Sequence, residues 1–319
     1  MTKNDDESST SLNKHTISDL YQMQSLPLEA KIRMTQNRIH WWLNEYDAYV
    51  SFSGGKDSTV LLHIARQIYP DIPAVFVDTG LEYPELRQFV KTVPNVTWIK
   101  PEMNFRKVIE TYGYPIISKN VSRAVHDVKK LGNDCWFART FDGREIGLYN
   151  YQKYKYLIDS PFLISDQCCD VMKKKPMKKY ERETGRKPIV GTMAVDSQSR
   201  KIAWLKTGCN AYESKSPKSQ PMSFWTKQDV LEYLKKYDVP YASVYGEIVR
   251  DEDGKLHTTG CDRTGCVFCG FGCHLEKEPN RFQRLKVTHP KLWNYCMKPW
   301  SEGGLGMREV LEYIKVNVE

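Results

Sequence analysis

Residues 48–69 read AYVSFSGGKDSTVLLHIARQIY, and the hexapeptide Ser53-Gly54-Gly55-Lys56-Asp57-Ser58 inside this stretch decides the fold. Ala48 to Phe52 is a short run of β-type residues. Val60, Leu61, Ile64 and Ile68 then fall on one side of a helix running from Lys56 to Tyr69. Two glycines between strand and helix let the chain turn tightly and leave room for a ligand against the backbone. The next amides point outward at the helix N-terminus, where they and the helix dipole favour an anion. Lys56 adds a full positive charge, Ser53 and Ser58 add hydroxyl donors, and Asp57 is placed to cap the helix or to hold Mg²⁺. Neither GxxxxGK[ST] nor GxGxxG occurs here, so the anion loop is of another design.

The flanking segments continue the alternation. Leu28, Ile32, Ile39, Trp42 and Leu43 recur near helical spacing over residues 28–45. Pro73 to Val77 is a second apolar strand, ending in Asp78-Thr79-Gly80; Pro84 to Val93 is a helix and Val96 to Ile99 an extended stretch. Strand and helix alternating over short loops predict an α/β fold, a parallel twisted sheet with helices on both faces. Pro188 to Thr192 reads as another buried strand. Thr226, with Asp229 three residues on, opens a helix carrying Val230, Leu231 and Leu234. Val239 to Tyr245 reads as extended, and a helix near Met307 to Val318 closes the chain.

The composition agrees. The 319 residues are 40% hydrophobic, 12% aromatic and 27% charged, which excludes a disordered or collagen-like chain. No apolar run approaches the ~20 residues that cross a bilayer. The opening MTKNDDESSTSLNK has no apolar segment of the secretory kind. The expectation is a cytoplasmic protein without a membrane partner, its residues 1–27 a flexible tail. Residues 28–250 are expected to form the nucleotide-binding α/β domain, with an insertion near 133–160, and residues 251–319 a Cys-rich and helical region. Lys and Arg number 47 against 39 Asp and Glu, a net charge of +8 that suits a protein handling phosphates or nucleic acid.

Nine cysteines without a secretory signal argue against a disulfide framework. Cys168 and Cys169 are adjacent; Cys261, Cys266 and Cys269 lie within nine residues, with Cys273 and His274 close behind. Soft thiolates in tight groups select zinc or an iron–sulfur cluster, and the C-x4-C-x2-C spacing serves either. Between the two groups, Trp136, Phe137, Phe141, Tyr149, Tyr151, Tyr154 and Tyr156 stand among Arg139, Arg144, Lys153 and Lys155. Such a mixture is either an irregular insertion packed on the core or a stacking surface for unpaired bases. The run Lys173, Lys174, Lys175, Lys178 and Lys179 is either a solvated helix face or a phosphate-facing one.

SGGKDS resembles the pyrophosphate loop of the ATP pyrophosphatases, the superfamily of tRNA thiolases, GMP synthetase and the small subunit of ATP sulfurylase. The longer strings FSGGKDSTVLLHIA and FVDTGLEYPE resemble its phosphoadenosine-phosphosulfate reductase branch. The resemblance implies an adenine nucleotide alpha-hydrolase-like fold. ATP would be bound with Mg²⁺ by Ser53, Gly54, Gly55, Lys56, Asp57 and Ser58, with Asp78 and Gly80 near the nucleotide. A substrate oxygen would attack the α-phosphate and pyrophosphate would leave, Lys56 and Asp57 being the catalytic candidates.

The CC pair, the Lys-rich sequence after it and the distant Cys-x2-Cys are similar to the four-iron site of adenylyl-sulfate reductases. This implies a [4Fe-4S] cluster on Cys168, Cys169, Cys266 and Cys269, with Cys261 as a further candidate ligand and Zn²⁺ as the alternative. Two departures matter. The loop keeps its lysine, which the reductases lack, and no cysteine follows Cys296, where they carry a nucleophilic one; Met193-Ala194-Val195-Asp196-Ser197-Gln198-Ser199-Arg200 also lacks a basic residue they have. An intact ATP loop with a cluster resembles the sulfurtransferase of DNA phosphorothioation. That likeness implies an adenylating sulfurtransferase acting on nucleic acid, supplied by a sulfur donor such as a cysteine desulfurase and working with other subunits of a modification complex. Lys119, Arg123, Lys174 and Arg200 are the candidate acceptor contacts. The competing expectations are a sulfonucleotide reductase and a nucleotide-gated nucleic-acid-binding module.

Overall fold

A computed structural model describes residues 13–143 and 149–319. Its strands are β1 (Ala48–Ser51), β2 (Ala74–Val77), β3 (Val96–Ile99), β4 (Ile116–Ile117), β5 (Lys187–Val190), β6 (Asn210–Ala211), β7 (Lys218–Ser219), β8 (Ile248–Arg250), β9 (Leu256–Thr258) and β10 (Gly270–Phe271). The chain forms two compact units. One comprises residues 13–77, 83–99 and 179–264; the other comprises 78–82, 100–178 and 265–319. Each is assembled from separated stretches, unlike the consecutive blocks 28–250 and 251–319 expected from the sequence.

The first unit is built on a six-stranded sheet of order β3-β2-β1-β5-β7-β6. All neighbours are parallel except β6 and β7. Consecutive residues Ala48, Tyr49 and Val50 are buried, as are Ala74, Val75 and Phe76, so both faces of the sheet are covered by helices. The helices Leu28–Glu45, Lys56–Ile68 and Lys227–Lys236 appear where the periodicity places them. Trp42, Val50, Ile64, Phe224 and Trp225 are fully buried in this core. The capping box at Thr226 and Asp229 is present, and Asp229 does more than cap. It accepts a 2.7 Å ion pair from Lys31, whose side chain is 2% exposed, tying helix Lys227–Lys236 to helix Leu28–Glu45.

Chain order makes β1 the turning point: β2 and β3 extend the sheet on one side of it and β5 on the other. In open α/β sheets ligands bind beyond the carboxyl ends of the strands at such a switch point. Ser53–Ser58 follows β1, and Gly191–Met193 follows β5.

In the second unit β4 and β10 pair in parallel, Ile116 with Gly270 and Ile117 with Phe271. A Cβ on Gly270 would come within 2.9 Å of Ile116 Cγ2, so the close pairing requires glycine there. The region near 133–160 forms short helical turns, Gly132–Asp134, Ala138–Phe141 and Gln152–Asp159, whose Phe141 and Leu157 are buried. Arg144 lies outside the described residues.

Three expectations are corrected. Ile17–Gln24 is a helix, closed by a Thr16/Asp19 capping box and anchored by buried Leu20, where a flexible tail was expected. Val239 to Tyr245 is not a strand. It packs Val239, Ala242 and Tyr245 inward, every third residue, as a loop with a short turn at Ser243–Tyr245. The closing helix ends at Tyr313.

Candidate functional site

The phosphate loop forms because Gly54 takes φ +73°, a conformation that costs other residues energy, and because its missing Cβ would stand 2.8 Å from Val90 Cγ2. Gly55 caps helix Lys56–Ile68 with no side-chain hydrogen bond, leaving the amides of the first turn open to an anion. The serines brace the turn from within: Ser58 Oγ donates to Gly55 O at 2.9 Å, the amide of Ser53 donates to Ser58 Oγ at 3.2 Å, and the two hydroxyls meet at 3.0 Å. Gly191 completes the approach of β5, since a Cβ there would lie 3.0 Å from Asp57 O.

Above the loop is a cavity of ≈ 240 Å³. Ser53, Gly55, Lys56, Asp57 and Ser58 line it from β1, Gly191 to Met193 from β5, and Asp196, Arg200, Lys227, Tyr245 and Asp262–Thr264 from the rest of the unit. Lys56 is 9% exposed. Its ammonium lies 4.7 Å from the centre of the Tyr245 ring, donates to Asp262 O at 2.9 Å and stands 3.9 Å from Asp262 Oδ1. Lys227 also reaches Asp262, at 3.2 Å. Burial pulls the Lys56 ammonium below the usual lysine range, while Asp262 and Asp57 oppose the shift. Burial, then the Asp196 carboxylate, pushes Asp57 up to about 6 against the pull of Lys56, Arg263 and Arg200. Asp196 is itself buried and held by two arginines, Arg200 and, at 3.4 Å, Arg263. Tyr245, pushed up to about 12 chiefly by burial, stays a neutral phenol 2.6 Å from Thr264 Oγ1. Four cations, Lys56, Arg200, Lys227 and Arg263, and a helix N-terminus stand around three carboxylates, Asp57, Asp196 and Asp262, an arrangement with the chemistry to meet an anion.

Asp78 and Gly80 do not line this cavity. They follow β2, one strand away from the β1/β5 crevice, and segment 78–82 belongs to the second unit, where Glu82 accepts from the amide and hydroxyl of Thr79. Arg200 lines the phosphate cavity. Lys119, Arg123 and Lys174, predicted to share its role, line a different cavity in the second unit. Sequence reasoning missed Tyr245, Lys227, Asp262, Arg263 and Thr264. The string Cys261-Asp262-Arg263-Thr264 invites reading only for its cysteine, although its two charged residues were the signal.

The second unit gathers four thiols. Cys168 and Cys169 sit in the short helix Gln167–Cys169, which runs into a π-helical turn, Asp170–Lys174, a feature frequent at functional sites. Cys266 and Cys269 form a tight turn closed by the Cys269 amide on Cys266 O at 3.1 Å. Arg281, itself paired with Glu276, donates to Cys269 O at 3.0 Å. Burial pushes the Cys168 thiol up, and Cys266, Cys169 and Cys269 push it further. Burial and Cys266 push Cys269 up to about 11. Burial raises Cys266 too, while the Lys173 ammonium, hydrogen-bonded to its sulfur, pulls it back. All four are free thiols. Among the described residues, no three His, Cys, Asp or Glu side chains converge on a point that would hold one metal ion. Cys261 lies in the first unit, packed beside Leu86, Ala242 and Tyr245 and within electrostatic reach of Lys56.

A glycine-rich loop at a β1/β5 switch point in a mostly parallel sheet defines an α/β protein. The chain belongs to the phosphoadenosine phosphosulfate reductase domain family, whose model matches residues 47–115 and 94–270. It is 26% identical over 267 residues to an uncharacterized protein of Methanocaldococcus jannaschii, covering 81% of this chain and 43% of that protein. A second such protein from the same organism is 23% identical over 276 residues, covering 83% and 50%. The chain therefore spans half or less of these two relatives. It is 25% identical over 240 residues to a phosphoadenosine 5'-phosphosulfate reductase of Xylella fastidiosa, covering 74% of this chain and 84% of that enzyme. Among solved structures, a phosphoadenylyl-sulfate reductase from Candida auris in a phosphate complex aligns with 75% of this chain and 97% of its own, at 15% identity and a TM-score of 0.40. Among the described residues, no helix is long and apolar enough to cross a membrane.

Proposed function

We propose that the protein is an ATP-dependent, pyrophosphate-releasing sulfurtransferase. The observation that carries this reading is Lys56: a lysine at the first position of the loop helix, nine-tenths buried, with its ammonium lining the cavity. Its partners there are a backbone carbonyl and, at 3.9 Å, the exposed carboxylate of Asp262, which a bound phosphate can replace.

In this reading the acceptor's oxygen attacks the α-phosphorus of ATP, the bond to the bridging oxygen breaks, and pyrophosphate leaves on the loop amides and Lys56. Charge building on the leaving group is met by preorganised donors, which is where such sites gain their rate. A hydrosulfide then displaces AMP from the adenylated acceptor. Sulfur takes the place of oxygen, AMP carries that oxygen away, and no electrons change hands. Asp57 would hold Mg²⁺, which shares the phosphate charge. Arg200 and Arg263, fixed by Asp196, face the same cavity and suit the α-phosphate. Cys168, Cys169, Cys266 and Cys269 would hold a [4Fe-4S] cluster, one thiolate to each iron, which would brace the unit.

The second reading, reduction of a sulfonucleotide, is favoured by the reductase relatives at 25% identity. Pyrophosphate release separates the two. The proposal predicts release from ATP above background, lost in Lys56→Ala. Sulfite release from adenylyl or phosphoadenylyl sulfate, with no pyrophosphate from ATP, would replace it with the reductase reading.

A further inference from the structure

The helix Lys119–Leu131 carries Lys119, Arg123, His126 and Lys130 at spacings of four, three and four residues. That period puts all four on one side, opposite the buried Val121, Ala124, Val125 and Val128. At 1.5 Å per residue the row is about 16 Å long. Its first turn holds no acidic residue and begins with a lysine, against the sign the helix dipole prefers. Lys130, in the last turn, suits the helix dipole; Lys119, in the first, does not, so helix stability does not account for the cation at that end.

The row borders a cavity of ≈ 510 Å³ whose opposite wall is Asp166, Gln167, Cys169, Asp170 and Lys174. Of the three carboxylates, Asp127 is paired with Arg123 at 3.7 Å and Asp170 with Lys174 at 3.6 Å; Asp166, Lys119 and Lys130 make no ion pair among the described residues, which leaves four cations against three acids. Beyond the helix, after the turn Gly132–Asp134, Trp136 is 48% exposed and meets Tyr149, 41% exposed, edge to face at 6.1 Å. Two large rings left half in water, the first of them a short turn beyond the end of a line of cations, offer the two kinds of group that unpaired nucleic acid uses, a basic row for phosphates and rings for bases.

We infer that this face of the second unit, from Lys119 to Trp136 and Tyr149, binds a single strand of nucleic acid. A row of this length exceeds what one nucleotide spans, and open rings have nothing to stack on in a closed duplex. The inference deepens the proposed reaction by naming its acceptor class and rests on that reading only to this extent, since binding here requires no ATP.

The test is fluorescence anisotropy of the full chain with labelled 16-mers, deoxy- and ribo-, single- and double-stranded, across a salt series. Single strands are expected to bind more tightly than duplex, and any preference between the two sugars names the natural strand. The triple variant Lys119→Ala, Arg123→Ala, Lys130→Ala should reduce the magnitude of the log K against log salt slope by about 2. Trp136→Ala should weaken single-strand binding about 5- to 100-fold. Thermal melts matching the parent protein certify that these surface variants fold. Unchanged affinity and slope in the variants, tighter binding of duplex, or displacement of the oligomer by polyglutamate of equal charge would each overturn the inference. Lys56→Ala should bind the strand as the parent does, so a parent protein that binds the strand but releases no pyrophosphate from ATP refutes the ATP reading alone.

Discussion

Asp57 sits in the phosphate loop with its carboxyl pushed up to about 6, chiefly by burial. An unfolded aspartate titrates near 3.9, so the folded protein binds the extra proton between those two values. Stability is therefore gained as pH falls through about 6, and at neutral pH the buried charge costs stability. Asp57→Asn should raise the neutral-pH stability by about 1–2 kcal/mol in a denaturant melt, while Mg²⁺-dependent turnover falls at least tenfold. Turnover of the parent enzyme should drop as pH is lowered through about 6, because the protonated carboxyl no longer ligates a cation. Asp262 makes the opposite case. Its carbonyl and carboxylate already engage Lys56 and Lys227, the cations a phosphate needs. Asp262→Ala removes a competing anion, and titration calorimetry should find pyrophosphate bound several-fold more tightly.

Helices and strands show which parts of the architecture could be read beforehand. The loop helix, β1, β2 and β3 were legible because period and punctuation agree: apolar strand, glycine pair, amphipathic helix. The N-terminal helix was missed although its Thr16/Asp19 capping box was in plain sight, because the acidic, Ser-rich residues before it set the expectation. Asp78 and Gly80 were expected near the nucleotide from the rule for strand ends; only the pairing order reveals that they follow β2, one strand from the β1/β5 crevice. The ion pair of Lys31 with Asp229 was invisible, since its partners are 198 residues apart. Asp229→Ala leaves a buried ammonium unpaired and should cost about 3–5 kcal/mol by denaturant titration. The double variant Lys31→Met, Asp229→Leu should recover most of it, the Thr226 cap excepted.

Across the molecule, the two units draw on alternating stretches of chain, which is why a division at residue 250 could not have been correct. That interleaving is what brings Cys168 and Cys169 together with Cys266 and Cys269, nearly a hundred residues on. Spacing alone grouped Cys261 with its sequence neighbours, and the fold separates it. An anaerobic preparation should carry about four irons per chain; Cys266→Ser should lose the iron and the brown absorbance, and Cys261→Ser should keep both. The account stands or falls on the loop after β1. Titration calorimetry with an α,β-methylene analogue of ATP and Mg²⁺ should show one site per chain, weakened at least tenfold in Lys56→Ala. No heat of binding, or an equal affinity in Lys56→Ala, would contradict it.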